Sequence, residues 1–87
     1  MITAAAIRFE GLVWTLPRPA RHHHIIQHIA EVTGATYVPG GKAQGFVDHM
    51  GRFVGRESAW GIARLCGQLK PRTPGGEYHT LFSEDVW

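Results

Sequence analysis

The chain has little of several features that would point to a particular class of protein. It contains one cysteine, Cys66, among 87 residues, and a single thiol cannot form an internal disulfide. No stretch approaches the roughly 18 apolar residues needed to span a bilayer. The N-terminus also lacks the basic start and apolar run of a secretory signal. These absences exclude a disulfide scaffold and favour a soluble, intracellular protein.

Acidic residues are scarce over most of the chain. Residues 1–72 hold nine basic and four acidic side chains, a net charge of +5, whereas residues 73–87 hold three acidic and no basic ones, a net charge of −3. A basic body attracts phosphates or acidic partners, although a solvated basic surface is the more frequent reason for such a balance. We expect the acidic segment to fold back onto the basic body.

The composition is that of one small folded domain over residues 1–87. Hydrophobic residues make up 44% and charged residues 18% of the chain, which argues against disorder. A chain of this length has a thin core, so we expect homo-oligomerisation. Cys66 continues the apolar pattern of a predicted helix and is expected to be buried.

Hydrophobic periodicity and turn residues predict the α+β class. In chain order the predicted elements are a hairpin with strands 3–9 and 12–16 turning at Glu10-Gly11, a helix over 19–33 ended by Gly34, a short strand at Tyr37-Val38, a hairpin with strands at 46–47 and 53–54, and a helix over 56–66 ended by Gly67. Residues 71–76 are predicted to form a loop, and residues 78–82 an edge strand.

The stretch from Gln44 to Gln68 reads as a compact ββα unit. Phe46 and Phe53 lie in two short apolar runs, and the residues between them carry the polar and glycine chemistry of a tight turn. Phe46 and Phe53 are expected to pair in the core. The unit also brings Arg52 and Arg56 close together in sequence.

The histidines of the first helix fall on different faces. At 100° per residue, His22 lies at the centre of the apolar face formed by Ile25, Ile26, Ile29, Ala30 and Val32. It is therefore either a hydrogen-bonded core residue or part of a pocket floor. His24, His28 and Glu31 lie on the opposite face, where their spacing would suit a metal ion, but a solvated polar face is the favoured interpretation.

Arginines and aromatic residues suggest a site for a phosphorylated ligand. Guanidinium groups match phosphate oxygens, and aromatic rings stack on bases. The candidate ligand-binding residues are Arg21, His22, Arg52, Arg56, Trp14 and Tyr37. The loop sequence PGGKA, residues 39–43, lacks the spacing of a P-loop and is interpreted as a plain turn.

Other chemistry has little support in the sequence. No serine or cysteine has a recognisable nucleophile pattern, so no catalytic residue and no cofactor are predicted. No helix carries a basic stripe, which makes nucleic acid an unexpected partner. The terminal sequence LFSEDVW is expected to dock on its own domain or on a second subunit, because free Phe82 and Trp87 side chains would expose apolar surface.

Several motifs together resemble a family of short, uncharacterised accessory proteins of tailed bacteriophages. They are QGF at residue 44, GRFV-x-R-E at residue 51, GQ at residue 67 and LFSED-x-W at residue 81. The resemblance implies a phage protein in the host bacterial cytoplasm, and it brings no reaction with it.

That context gives three functional hypotheses. The first is a counter-defence protein that sequesters a small phosphorylated nucleotide signal without catalysis, as a sponge. The second is an inhibitor that binds a host defence protein through the hairpin tip and the SEDVW segment. The third is a metal-dependent hydrolase that uses His24, His28 and Glu31.

Overall fold

The computed structural model describes residues 1–70 and 80–87. Its elements are β1 (Ile2–Phe9), β2 (Leu12–Thr15), α1 (His22–Thr33), a 3-10 turn (Gly41–Ala43), β3 (Gln44–Asp48), β4 (Phe53–Gly55), α2 (Arg56–Leu65) and a second 3-10 turn (Ser83–Asp85). The four strands form one antiparallel sheet in the order β2-β1-β3-β4. The predicted α+β class is confirmed.

Both hairpins form at the predicted turns. Glu10 and Gly11 take positive φ values of 50° and 77°, which is the conformation that a two-residue hairpin turn requires. In the second hairpin, the backbone N–H of Asp48 donates to the carbonyl oxygen of Arg52 at 3.0 Å, and Gly51 takes a φ of 79°. Local turn chemistry therefore sets the register of both hairpins.

The strand β1 is central, although its alanine run is a weak strand signal. It pairs with β2 on one side and β3 on the other, and Ala4, Ala5 and Ala6 are all buried. Ala5 stands opposite Phe46 in the register, so it shares the face of the sheet that the helices cover. Small side chains suit a strand that is paired along both edges.

One core lies between that face of the sheet and the two helices. Its buried members are Ile2, Ala5, Ile7, Ile25, Ile29, Phe46, Ala59, Ala63 and Leu81. The predicted inward position of His22 is confirmed, since the residue is only 7% exposed. Val32, which was expected on the same apolar face of α1, is exposed because it lies in the last turn of that helix.

The first helix begins three residues later than predicted. Ala20 N–H donates to the carbonyl oxygen of Pro17 at 3.1 Å, which holds residues 17–20 in a turn, and Arg21 is extended. The N–H of Arg21 then donates to Nδ1 of His24 at 2.9 Å, so a histidine side chain supports the start of the helix. Gly34 ends α1 with a φ of 74°, as predicted.

Two other predictions from the sequence are wrong. Tyr37 and Val38 do not form a strand. Cys66 is exposed rather than buried, because it lies beyond Ala63, the last residue of α2 that is buried in the core. The predicted loop over 71–76 lies outside the described residues, as do residues 78 and 79 of the predicted edge strand, and Leu81 and Phe82 are not in a strand.

The C-terminal segment docks on its own domain, as expected. The indole Nε1 of Trp87 donates to the carbonyl oxygen of Ala20 at 3.0 Å, and its ring meets the ring of Phe46 edge-on at 6.2 Å. A guanidinium nitrogen of Arg21 donates to the backbone oxygen of Trp87 at 2.5 Å. The backbone oxygen of Asp85 accepts from the N–H of Lys70 at 2.7 Å.

Candidate functional site: a basic cavity at the start of the second helix

A cavity of about 540 Å³ lies where the first turn of α2 meets the 3-10 turn and the sheet. It is lined by Arg8, Gly41, Lys42, Gln44, Phe53, Gly55, Arg56, Glu57, Ser58 and Thr80. Three of these residues are cationic and one, Glu57, is anionic. The volume falls within the range of pockets that hold small organic ligands.

The first turn of α2 contributes partial positive charge to this cavity. Gly55 is the N-cap residue and has no side chain with which to cap the helix. The N–H groups of a first helical turn have no acceptor within the helix, and the helix dipole is positive at that end. Arg56, Glu57 and Ser58 form this turn and all line the cavity, so an anion placed there would lie near their amides.

Arg56 is a fixed cation in the cavity wall. Its Nη1 donates to the carbonyl oxygen of Leu81 at 2.8 Å, and its Nη2 donates to Oε1 of Gln44 at 2.6 Å. Its guanidinium carbon also lies 4.8 Å from the centre of the Phe82 ring. These contacts come from two separate segments, the start of β3 and residues 81–82, and they hold the charge at one place.

Lys42 and Gly41 bring the PGGKA loop to the same cavity. The loop ends in the short 3-10 turn Gly41–Ala43. Gly41 adopts a φ of 61°, which is a conformation that glycine takes without strain. Lys42 is exposed, so its ammonium group has the freedom to reach a ligand. The sequence interpretation of this loop as a plain turn missed its position opposite the start of α2.

Arg8 and Phe53 form the wall that the sheet provides. The register places Phe53 beside Val47 and Val47 beside Ala4, so Phe53 and Arg8 share the sheet face that points away from the helices. The guanidinium carbon of Arg8 lies 4.2 Å from the centre of the Phe53 ring. Phe53 was expected in the core, but it is only partly buried and covers Gly45 from the outer face.

Of the six residues predicted to bind a ligand, only Arg56 lines this cavity. Arg21 is engaged with the backbone of Trp87, and His22 is buried with its Nε2 2.7 Å from the carbonyl oxygen of Gly45. Trp14 packs edge-on against His28, and its Nε1 is buried without a hydrogen-bond partner among residues 1–70 and 80–87. Tyr37 is 75% exposed between α1 and the 3-10 turn.

Arg52 belongs to the hairpin tip rather than to the cavity. Its Nε donates to Oδ2 of Asp48 at 2.9 Å, and Oδ1 of Asp48 accepts from the N–H groups of Met50 and Arg52, each at 2.9 Å. These bonds lower the pKa of Asp48 below its ordinary value of 3.8; the largest cause is the backbone N–H of Arg52, and burial acts in the opposite direction. The Asp48 and Arg52 pair therefore stabilises the hairpin turn.

The histidine face of α1 does not form a metal site within residues 1–70 and 80–87. No group of three or more histidine, cysteine, aspartate or glutamate side chains in this part of the chain is placed to hold a metal ion. Nδ1 of His24 accepts the N–H of Arg21, and the ring of His28 contacts Trp14. Both side chains have structural contacts that the spacing alone did not reveal.

Comparison with protein families gives the origin of the chain. A family model described as Phage T4 y16D protein matches residues 1–87, the whole chain. The chain belongs to the phage T4 y16D protein family. The resemblance to a phage family is thereby confirmed at the level of the family. Searches of curated proteins and of solved structures gave no match.

Membership of the y16D family fits a small phage protein with one α+β fold. Neither helix in the described part of the chain has the length and hydrophobicity needed to cross a membrane. The functional proposal for this y16D family member starts from its membership of a phage family and from the basic cavity.

Proposed function

We propose that this phage protein binds a small phosphorylated nucleotide in the cavity at the start of α2 and sequesters it without catalysis. The observation that carries the proposal is the convergence of Arg8, Lys42 and Arg56 with the first turn of α2 on one cavity. These three cations come from a strand, a loop and a helix. Their convergence concentrates positive charge at one point of the surface.

The lining has the chemistry of a phosphate site. Arginine presents a planar fork of donors to phosphate oxygens, lysine adds a mobile point charge, and the amides of a helical first turn add directed N–H groups. Ser58 and Thr80 contribute hydroxyl groups to the same lining. Glu57 opposes part of this charge, so a ligand of low charge suits the cavity better than a polyphosphate.

Binding rather than reaction is the function that this lining supports. Guanidinium, ammonium, amide and hydroxyl donors hold an anion and neutralise its charge. A hydrolase would in addition need a group that activates water or a nucleophile. Glu57 is the one carboxylate of the lining, and we propose that it offsets part of the positive charge rather than acting as a base. The proposal therefore gives the cavity the role of a trap whose affinity, and not turnover, sets its effect.

The phage origin of the family supplies the biological part of the proposal. A phage protein that removes a nucleotide signal from the host cytoplasm would act against a defence system that depends on that signal. We therefore propose the role of a counter-defence sponge. A non-enzymatic sponge must be made in amounts comparable to its ligand, which a small single-domain protein allows.

Calorimetry against a panel of AMP, cyclic nucleotides, ADP-ribose and inorganic phosphate tests the proposal. The chain's two lysines give a matched pair of variants, because Lys42 lines the cavity and Lys70 does not. Lys42→Gln is expected to weaken the binding of the best ligand about tenfold, the lower end of the effect of losing one hydrogen bond to a charged group. Lys70→Gln removes the same charge and should bind as the wild type does. The proposal fails if no member of the panel binds, or if both variants lose affinity equally.

An alternative proposal is an inhibitor that grips a host protein. The hairpin tip supports it, since His49, Met50 and Arg52 are all exposed there. The C-terminal segment supports it less, because Ser83 and Asp85 are buried and Trp87 packs on Phe46. A pull-down from infected cells that recovers one stoichiometric protein, lost in Met50→Asp, would favour this alternative.

A further inference from the structure

The arrangement of Arg8 bears on what kind of phosphorylated ligand the cavity takes. Arg8 extends from β1 on the outer face of the sheet, where it is exposed and lines the cavity. Its guanidinium carbon lies over the Phe53 ring at 4.2 Å from the ring centre. At this distance the cation contacts the face of the ring.

A guanidinium that packs on an aromatic ring can also stack against a second planar group. The ion is flat and weakly hydrated, and it stacks on aromatic faces. Phe53 lies against it, and Arg8 is exposed and lines the cavity, so a ligand in the cavity can reach the guanidinium. Bases in protein complexes commonly stack on arginine planes in this way.

The groups proposed to bind the phosphate come from other elements than the Arg8 and Phe53 pair, which lies on β1 and β4. Arg56 and the first turn of α2 form another part of the wall, where Arg56 is fixed by Leu81 and Gln44. The cavity, at about 540 Å³, is far larger than an inorganic phosphate alone would need. A ligand with a phosphate at one end and a planar group at the other matches both features.

We propose that Arg8, supported by Phe53, stacks on the base of a nucleotide whose phosphate lies at the start of α2. This inference rests on the proposed function and makes it more specific, since it assigns the ligand class as a nucleotide and Arg8 as the residue that recognises the base. Arg8 then contributes to binding by stacking on the base as well as by its charge.

The test compares AMP with ribose 5-phosphate, which lacks the base, in calorimetry on the whole chain. Wild-type protein should bind AMP about tenfold more tightly, a typical effect of one stacked base. Arg8→Lys keeps the charge but loses the plane, so it should remove this preference while changing the affinity for ribose 5-phosphate less than about twofold. Lys42→Gln, in contrast, should weaken both ligands by the same factor.

Three results would overturn the inference. One is equal affinity of the wild type for the two ligands. Another is an equal loss of affinity for both ligands in Arg8→Lys, which would show that Arg8 contributes only through its charge. The third is an unchanged preference in Arg8→Lys. If neither compound nor any other member of the nucleotide panel binds the wild type, the proposed function itself fails, and that outcome is distinct from all three.

Discussion

The imidazole Nε2 of His22 lies 2.7 Å from the carbonyl oxygen of Gly45. A carbonyl oxygen only accepts, so Nε2 carries the proton and donates. The bond ties the first turn of α1 to the start of β3 inside the core, where His22 is 7% exposed and also meets the ring of Phe46 edge-on. The histidine therefore joins two elements that are distant in sequence.

Replacing His22 should therefore lower stability without changing ligand binding. His22→Phe keeps an aromatic ring but leaves the Gly45 carbonyl without this donor, which should cost about 1–3 kcal/mol of unfolding free energy. His23→Phe, at the exposed neighbouring position, should change stability by less than about 0.5 kcal/mol. Urea denaturation measures both. Equal stability of the two variants would contradict a structural role for His22.

The outer face of the sheet leaves no room for a side chain at Gly45. A Cβ there would lie 2.7 Å from Cζ of Phe53 and would collide with the backbone oxygen of Val54. Because the backbone cannot yield, Gly45→Ala should lower the unfolding free energy by about 1–3 kcal/mol.

Gly61 provides the matched control for Gly45. It lies inside α2, and a Cβ at this position would meet no atom of the described residues within 4 Å. Gly61→Ala should raise stability by about 0.5–1 kcal/mol, because alanine favours the helix. Thermal unfolding should thus move in opposite directions for the same chemical change at these two glycines. A shift in the same direction would show that the packing around Gly45 is described incorrectly.

The hairpin tip should lose stability in acid. The lowered pKa of Asp48 means that its carboxylate stabilises the folded state above the unfolded value of 3.8, and that this contribution is lost as the pH falls through the lower folded pKa. Asp48→Asn lacks this titration. The stability difference between wild type and Asp48→Asn should therefore be constant near neutral pH and should shrink below about pH 5. A difference that stays constant down to pH 2.5 would contradict the assignment.

Docking of the C-terminal segment should contribute measurably to stability. Trp87→Ala removes the bond to Ala20 and the contact with Phe46, and it should cost about 2–4 kcal/mol, somewhat less than a fully buried tryptophan. Tyr37→Ala, at a 75% exposed aromatic position, should cost less than about 0.5 kcal/mol. If Trp87→Ala were as stable as Tyr37→Ala, the segment would not be docked in solution.

Local features were predictable from the sequence. The Glu10-Gly11 turn, the Asp48 to Gly51 turn and the helix end at Gly34 each depend on a few adjacent residues whose backbone preferences are strong. The inward position of His22 followed from helical geometry alone. Cys66 was misplaced because helical periodicity gives the face on which a residue lies but not where along the helix the contact with the core ends, which here is at Ala63.

The cavity was not predictable in the same way. Arg8, Lys42 and Arg56 are far apart in the sequence, and the sheet order β2-β1-β3-β4 brings them together. No local pattern states that β1 is central, since its alanines are a weak strand signal. The glycines of the PGGKA loop were the one available clue, because glycine-rich turns often approach phosphates.

An NMR titration with AMP would locate the nucleotide site that we propose at the start of α2. If the nucleotide binds there, the backbone amide signals at the site should shift in a saturable manner, while those of residues 49–52 at the hairpin tip stay in place. The signals expected to shift are those of Gly41, Lys42, Arg56, Glu57 and Ser58. Shifts confined to the hairpin tip or to α1, or no saturable shift at all, would contradict the proposal.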